Sequence, residues 1–284
     1  MDRLHKSIIA VVALAVVGSG LWFTYDLYIR PKRAVMLEEH RLQKEAAERA
    51  AEAAKDHSLA AFETTVQQAQ NATPARAREL WMAFLKNYPG SSKTAEVEAT
   101  LGPLNAADFF SPSPSPHKTT HTVAKGDTLY KISRKNGTSI ELIARANNLP
   151  GIMLQIGQQL VVPQADIKVT ADRAAGTLVL ENHGEFFRSY PLLSSRLPAL
   201  PDGSSAQSSV LETVVEANGK RLVFGDKNYA QGKRSIILSG PGAAIQSVPA
   251  GTPAGEMPPG LIVGESDMAE IFVLLRRGVP VTIK

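Results

Sequence analysis

Few residues of this sequence have the type and spacing to do chemistry. Cysteine is absent, which excludes disulfides, thiolate nucleophiles and Cys-based zinc sites. The six histidines are scattered along the chain, so they do not indicate a metal-ligand cluster. The sequence also lacks a phosphate-binding Gly-rich loop, an HExxH helix and an EF-hand loop. We therefore predict no catalytic residue, no metal site and no cofactor.

The side chains that could still act as a base or a nucleophile lie in the C-terminal part of the chain. His183 falls in an Asn-His-Gly-Glu turn, where a solvated histidine is a simpler interpretation than a base. Ser266 is interpreted as a helix cap, and Ser239 and Ser247 have no acid–base partner nearby in sequence. A triad assembled from distant positions stays open.

The elements around these residues predict a mainly-β domain over residues 165–284. The predicted elements are strands joined at Gly176 and at the Asn-His-Gly-Glu turn, a hairpin over 217–220, a buried strand over 234–240, a helix capped at Ser266 and stopped by Gly278, and a closing strand over 279–284.

Residues 260–283, GLIVGESDMAEIFVLLRRGVPVTI, resemble the end of the L,D-transpeptidase catalytic domain, and the order of elements over 165–284 is similar to that of the family. The family's chemistry needs a Cys thiolate, activating His residues and an Arg two positions beyond the Cys. The positions that match this motif carry other residues here, apart from the Gly: Gln246, Pro259, Gly260, Leu261 and Val263. Leu261 replaces the Cys and Val263 replaces the Arg. The resemblance thus implies the family's fold in a domain that is degenerate and inactive by the cysteine mechanism.

Residues 121–163 predict a strand–helix–helix–strand unit. The predicted elements are a strand over 121–124, a turn at Gly126, a helix capped by Asp127 and closed by Gly137, a capping box of Thr138 and Glu141, a second helix over 140–147, and a strand over 158–163. The first helix has a predicted apolar stripe of Leu129, Tyr130, Ile132 and Ser133.

This unit resembles the LysM module over its full length, in TVAKGDTLYKIS, NG, IARANNL and IGQQLVVP. The resemblance implies binding of glycans that contain N-acetylglucosamine, peptidoglycan or chitin, in a shallow groove. One predicted wall comprises Gly126, Asp127, Thr128 and Leu129, and the other comprises Met153, Leu154, Gln155 and Ile156. Asp127 as a helix cap and Leu129 as a core residue are the alternative, structural interpretations.

The N-terminal residues predict a membrane segment. Residues 7–25 carry no charge, and the stretch 7–29 is long enough for about 30 Å of hydrocarbon. An uncleaved anchor within residues 1–33 is favoured over a cleaved signal peptide, because bulky aromatic residues occupy the place of a cleavage site. Basic residues flank both ends, so charge alone does not give the predicted cytoplasmic N-terminus, which depends on the resemblance of the later modules to cell-wall proteins.

Residues 34–57 predict a solvated helical stalk, rich in helix formers and in opposite charges four positions apart. Residues 58–110 predict a helical unit that resembles a single tetratricopeptide repeat, with Thr73 as cap of one helix and Ser91 or Ser92 as cap of the next. A single repeat falls short of a stable solenoid, so we expect it to pack on a neighbouring domain or to self-associate, and residues 58–110 are a candidate surface for a protein partner. The Pro/Ser-rich residues 111–120 predict an extended linker.

The fold class predicted is therefore an α+β multidomain chain. A formal net charge of +4, with no clustered basic face, does not indicate nucleic-acid binding. We expect a protein of the bacterial inner membrane that spans it once through residues 7–29, holds its C-terminal domains in the periplasm and binds peptidoglycan. The alternative is an active cell-wall transpeptidase or hydrolase that uses a residue other than cysteine.

Overall fold

The computed structural model describes residues 30–198, 204–240 and 244–284, together with Ser19. The predicted membrane span over residues 7–29 lies outside this range, Ser19 excepted, and stays a prediction. Within the described residues, every helix is too short or too polar to cross a bilayer. Residues 1–61 and 62–284 form two separate units.

Helix α1 (Arg30–Gln70) contains the predicted stalk and continues for thirteen residues past its predicted end at residue 57. Two predicted ion pairs lie along it, Arg41 with Glu45 at 3.5 Å and Lys44 with Glu48 at 3.9 Å. Each such exposed pair adds only a few tenths of a kcal/mol to helix stability. The prediction of a helical stalk is therefore confirmed, but the helix is longer than the predicted residues 34–57.

Helices α2 (Pro74–Asn87) and α3 (Thr94–Phe109) follow. Thr73 caps α2 as predicted, because its side chain accepts a hydrogen bond from the N–H of Arg76. Trp81 of α2 is buried, and its ring lies 5.8 Å from that of Phe62. The predicted serine cap of α3 is wrong, since the Ser91 hydroxyl accepts from the N–H of Lys93 inside the preceding turn and the helix begins only at Thr94.

The Pro/Ser-rich segment is held against the end of α3. The ammonium group of Lys118 donates to the carbonyls of Asp108, Ser111 and Ser113. The predicted extended linker is therefore fixed at its start by Lys118. The alternation of proline and serine over 111–116 does not reveal this contact, because Lys118 follows the alternating residues.

A strand–helix–helix–strand unit is present as predicted, but its first strand runs over 118–122 rather than 121–124, so residues 118–120 of the predicted linker belong to the unit. Its elements are β1 (Lys118–Thr122), α4 (Leu129–Asn136), α5 (Ile140–Ala146) and β2 (Gln159–Pro163), with β1 antiparallel to β2. Gly137 closes α4 with φ of 61°, as predicted. Both predicted N-caps are displaced by one residue: Thr128 accepts from the N–H of Lys131, and Ser139 accepts from the N–H of Leu142.

The C-terminal strands build one large sheet. They are β3 (Ile167–Asp172), β4 (Thr177–Asn182), β5 (Glu185–Pro191), β6 (Ser194–Arg196), β7 (Ala206–Ala217), β8 (Lys220–Leu222), β9 (Lys233–Leu238), β10 (Ala244–Val248), β11 (Gly260–Gly264) and β12 (Pro280–Ile283). Their order is β5-β4-β3-β12-β7-β9-β10-β11-β6, with β8 beside β7. Parallel pairing joins β3 to β12 and β10 to β11.

Strand β7 connects the two halves of this sheet. Its first residues pair with β12, and its later residues pair with β9 and β8. The register shifts between Val210 and Glu212, and such a bulge sharpens the local bend and twist of a strand. The predicted turns are confirmed, since Asn218-Gly219 and His183-Gly184 have the positive φ angles that a two-residue hairpin turn requires.

Helix α6 (Glu265–Leu274) lies over the sheet, with Met268 and Ile271 in the common core. Its N-cap is Gly264 rather than the predicted Ser266, which is exposed. The helix ends at Leu274, four residues before the predicted stop at Gly278, because Leu275 takes an extended conformation.

Candidate functional site

The two predicted walls of the groove come together in the structure. The N–H of Gly157 donates to the carbonyl of Val123 at 2.8 Å, and the N–H of Val123 donates to Gln158 at 2.9 Å. These bonds place the turn around Gly126 beside the loop around Gln155. Both turns are made by a glycine at φ of 86°, Gly126 in one and Gly157 in the other, with open space around each.

Exposure separates surface residues of the predicted site from core residues. Met153 is 87% exposed and Ile156 is 72% exposed, so both are available to a ligand. Gly126, Thr128 and Gln155 are also exposed. Asp127 and Leu154 are half-buried, whereas Leu129 is buried in the core of the unit. Leu129 therefore supports the groove by packing in the core and is not exposed to a ligand.

Asp127 holds the turn rather than the helix. Its Oδ2 atom accepts from the N–H of Ala124 at 2.9 Å and lies 2.8 Å from Nε2 of His121. The hydrogen bond from Ala124, followed by the one with His121, lowers the pKa of Asp127 below its ordinary value. The structural interpretation of Asp127 thus gains support, although its role is in the turn and Thr128 provides the cap.

Tyr130 does not belong to the apolar stripe of α4 that the sequence predicts. It is 60% exposed, and its ring lies 5.9 Å from the guanidinium of Arg134. An exposed aromatic ring next to the first wall is a candidate ligand contact that the predicted stripe does not include. Its place between buried Leu129 and exposed Lys131 marks Tyr130 as the edge of the stripe.

The positions predicted to match the transpeptidase catalytic residues lie on β10 and β11 and directly before β11. Leu261 and Val263 on β11 are fully buried, and Leu261 pairs with Ile245 on β10. Gln246 Nε2 donates to the carbonyl of Pro259 at 3.1 Å and so ties the start of β11 to β10. The residue predicted at the position of the nucleophile, Leu261, therefore contributes to packing.

Gly260 has a steric role that does not depend on catalysis. Its φ is 117°, and a Cβ at this position would lie 2.5 Å from the carbonyl oxygen of Ala244. No L-residue fits that approach without a shift of the backbone. The glycine of the motif thus allows β11 to enter beside β10.

The other candidate groups have structural partners. His183 Nε2 lies 2.9 Å from the carbonyl oxygen of Gln164, and its ring stacks on that of His117 at 4.2 Å. Ser239 Oγ accepts from the N–H of Ser209 at 2.8 Å. Among the residues described, no three His, Asp or Glu side chains are grouped to hold a metal ion.

A cleft of about 690 Å³ lies beside the ends of β10 and β11. Its walls include Ser247, two basic side chains, Lys233 and Arg234, and two acidic ones, Glu256 and Glu265. Charged groups of both signs can bind a polar ligand that also carries both signs.

Comparison with known proteins identifies one module by family. Residues 121–163 match the family model described as "LysM domain", so the predicted LysM resemblance is confirmed and this segment is a LysM domain. The rest of the chain is not assigned by this match.

The relatives share a short part of their length with this chain. "Probable endopeptidase p60" of Listeria seeligeri is 41% identical over 56 residues, which is 20% of this chain and 11% of that protein. "Probable N-acetylmuramidase" of Lactococcus lactis subsp. lactis is 52% identical over 44 residues, 16% of this chain and 10% of that protein. The chain thus spans about a tenth of the length of either relative.

The C-terminal part has a structural similarity to L,D-transpeptidases. The solved structure described as "L,D-transpeptidase from Mycobacterium smegmatis" matches with a TM-score of 0.30 and 17% sequence identity. The match covers 47% of this chain and 66% of that one.

Proposed function

We propose that this protein binds peptidoglycan through the groove of its LysM domain, at the N-acetylglucosamine-containing glycan. The observation that carries the proposal is the LysM match over residues 121–163, in which both predicted walls are adjacent and partly exposed. The exposed apolar side chains of Met153 and Ile156 can pack on a sugar, while backbone groups of the two turns can bind its acetamide. A single small site of this kind binds weakly unless it is tethered or repeated.

The proposal includes an anchor in the bacterial inner membrane. Residues 7–29 supply the apolar stretch, and residues beyond them would then lie in the periplasm, where the LysM domain meets the cell wall. A tether of this kind raises the local concentration of the LysM domain at the wall.

We further propose that the C-terminal domain is a scaffold that does not catalyse cysteine chemistry. The chain has no thiol, and Leu261 stands buried at the matching position. The mixed-charge cleft of about 690 Å³ is the surface through which this domain would bind a glycopeptide or dock a protein. The helical unit over residues 58–110 is a second proposed surface for a protein partner.

Cosedimentation of the full chain with purified sacculi tests glycan binding. We expect the double variant Met153→Asp/Ile156→Asp to lose about tenfold in affinity, because a charge replaces each apolar contact and neither side chain belongs to the core. The matched control is Met36→Asp, which changes a 65% exposed methionine on α1. Equal binding by wild type and double variant would reject the groove, and no binding by wild type would reject the function.

Incubation of the full chain with muropeptides, followed by mass spectrometry, tests the scaffold proposal. We expect the substrate masses to remain unchanged. A new cross-link or a cleaved product would overturn the proposal and favour the alternative enzyme.

A further inference from the structure

The second wall of the glycan groove has a different neighbour at each end. Gly157 directly follows the wall and is hydrogen-bonded to Val123, which joins this end to the first wall. Ile152 directly precedes Met153 at the other end, and it contacts Gly225 of the C-terminal domain. A glycan that follows the second wall away from the first wall therefore meets the C-terminal domain next.

The part of the C-terminal domain that makes this contact is a tight turn over 223–226, named here the Val223 turn. The N–H of Val223 donates to Oδ2 of Asp226 at 2.8 Å, and the N–H of Asp226 donates to the carbonyl of Val223 at 3.0 Å. These two bonds close the turn. Gly225 has φ of 104°, and a Cβ at this position would lie 2.9 Å from Cγ2 of Ile152, so glycine permits the close contact.

Phe224 holds the Val223 turn against the LysM domain. Its side chain packs against the cores of both domains, and its ring lies 5.4 Å from the ring of Tyr229. The Tyr229 hydroxyl donates to the carboxylate of Glu141 in the LysM domain. The turn and the second wall therefore keep one relative position, so a ligand that contacts both does not have to order them first.

Exposed apolar side chains continue from the second wall onto the Val223 turn. Ile152 is 54% exposed and Val223 is 70% exposed. Outside α1, all but two of the exposed large apolar side chains in the described part of the chain belong to the LysM domain or to this turn: Tyr130, Ile152, Met153, Ile156 and Val223. A group of exposed apolar side chains marks a binding surface. The C–H faces of sugar rings are apolar and can pack on such a surface, while the ring edges keep their polar groups in water.

We propose that the glycan groove continues from the second wall over Ile152 to the Val223 turn, so that a long glycan contacts the C-terminal domain as well as the LysM domain. The inference rests on the proposed glycan binding and deepens it, because it gives the C-terminal domain a subsite for further sugars of the same strand. A linear glycan is an extended polymer, so its next sugars are at a high effective concentration once the first are bound. The protein therefore prefers long glycan strands to short fragments.

Calorimetric titration of the full chain with neutral β-1,4-linked N-acetylglucosamine oligomers of increasing length tests the inference. We expect Val223→Asp to match wild type for the shortest oligomer that binds and to bind the longest oligomers about tenfold more weakly, because a charge replaces the apolar contact. Both proteins are compared at each length, so the statistical gain of a longer chain cancels. Val35→Asp changes an exposed valine on α1 and should follow wild type throughout. Met153→Asp, in the groove itself, should weaken binding at every length.

The outcomes separate the inference from the glycan-binding function. If wild type binds no oligomer, the function is overturned and the inference with it. If wild type binds and Val223→Asp equals it at every length, the inference alone is overturned and the function stands. An equal loss by Val223→Asp at all lengths would also overturn the inference, since the turn would then affect the groove as a whole.

A second measurement does not depend on a loss of affinity. The natural chain has no cysteine, so Val223→Cys provides a single site for a fluorophore that responds to its surroundings. We expect its emission to change with long oligomers and to stay constant with the shortest one that binds, whereas the same label on Val35→Cys should respond to neither. Constant emission at residue 223 with every oligomer that binds would overturn the inference.

Discussion

Leu261 is the residue that the sequence comparison predicts at the position of a nucleophile, and its side chain is fully buried in the core of the C-terminal domain. A nucleophile must reach its substrate and have a base within hydrogen-bond distance. Neither condition holds here, because Gln246 donates to a backbone carbonyl and Val263 is buried as well.

A thiol placed at this position should therefore be inert. We expect Leu261→Cys to give no reaction with Ellman's reagent in the folded protein and full reaction in denaturant, and to lower the free energy of unfolding by about 1–3 kcal/mol through lost packing. Because the natural chain has no cysteine, the signal reports this one thiol. Met153→Cys, at an 87% exposed position, is the control that should react at once. Rapid reaction at residue 261 would mean that the nucleophile position is open.

At the scale of elements, the Pro/Ser-rich segment is docked on the β4–β5 hairpin by two imidazoles. The rings of His117 and His183 stack at 4.2 Å, and His183 is held by the carbonyl of Gln164. Burial, and then the charge of His183, lower the pKa of His117 below its ordinary value of 6.5. The charges of Glu185 and Asp108 act in the opposite direction without reversing the shift.

This arrangement predicts a pH dependence of stability. Because the pKa of His117 is lowered in the folded protein, the unfolded chain takes up the proton first as the pH falls. The free energy of unfolding that neutral His117 contributes is therefore complete above about pH 6.5 and is lost as the pH falls through the lowered pKa. Urea unfolding at about pH 5 and about pH 8 should show a smaller acid-induced loss for His117→Gln than for wild type. The exposed His40→Gln serves as the control and should follow wild type. An unchanged loss in His117→Gln would contradict the prediction.

At the scale of the whole molecule, the LysM domain is fixed to the C-terminal domain. Ser139 donates to the carbonyl of Val273 at 2.7 Å, and Tyr229 donates to the carboxylate of Glu141 at 2.6 Å. Phe224 packs against both hydrophobic cores. The two domains therefore act as one body, which sets the direction of the glycan groove relative to the C-terminal cleft.

Arg145 on α5 is the test of this connection. Its guanidinium lies 3.8 Å from the ring centre of Phe110, 3.5 Å from Glu270 and 3.3 Å from the carbonyl of Ala269. We expect Arg145→Ala to lower the free energy of unfolding by about 1–2 kcal/mol, since Glu270 keeps a second partner in Arg188. Urea unfolding measures the change, and the exposed Lys135→Ala should stay within about 0.5 kcal/mol of wild type. A similar effect of both variants would show that the interface adds nothing.

Local chemistry explains which details of the LysM domain were predictable. Gly137 ends its helix as expected, because the left-handed conformation depends on one residue. The predicted caps, Asp127 and Thr138, each lie one position before the observed cap, because several adjacent polar residues can each cap a helix. Contacts outside the helix decide which residue is the cap. The carboxylate of Asp127 is hydrogen-bonded to His121 and to the N–H of Ala124, so Thr128 caps the helix instead.

The sequence by itself determined the LysM domain and the absence of a thiol, because these depend on residue types and short spacings. It also fixed most strands and turns, through alternating burial and through positive-φ positions such as Gly219. Only the tertiary structure decided that Leu261 is enclosed, that Tyr130 faces solvent and that Gly225 contacts Ile152. Burial and hydrogen-bond satisfaction depend on residues from distant parts of the chain, which a local pattern does not contain.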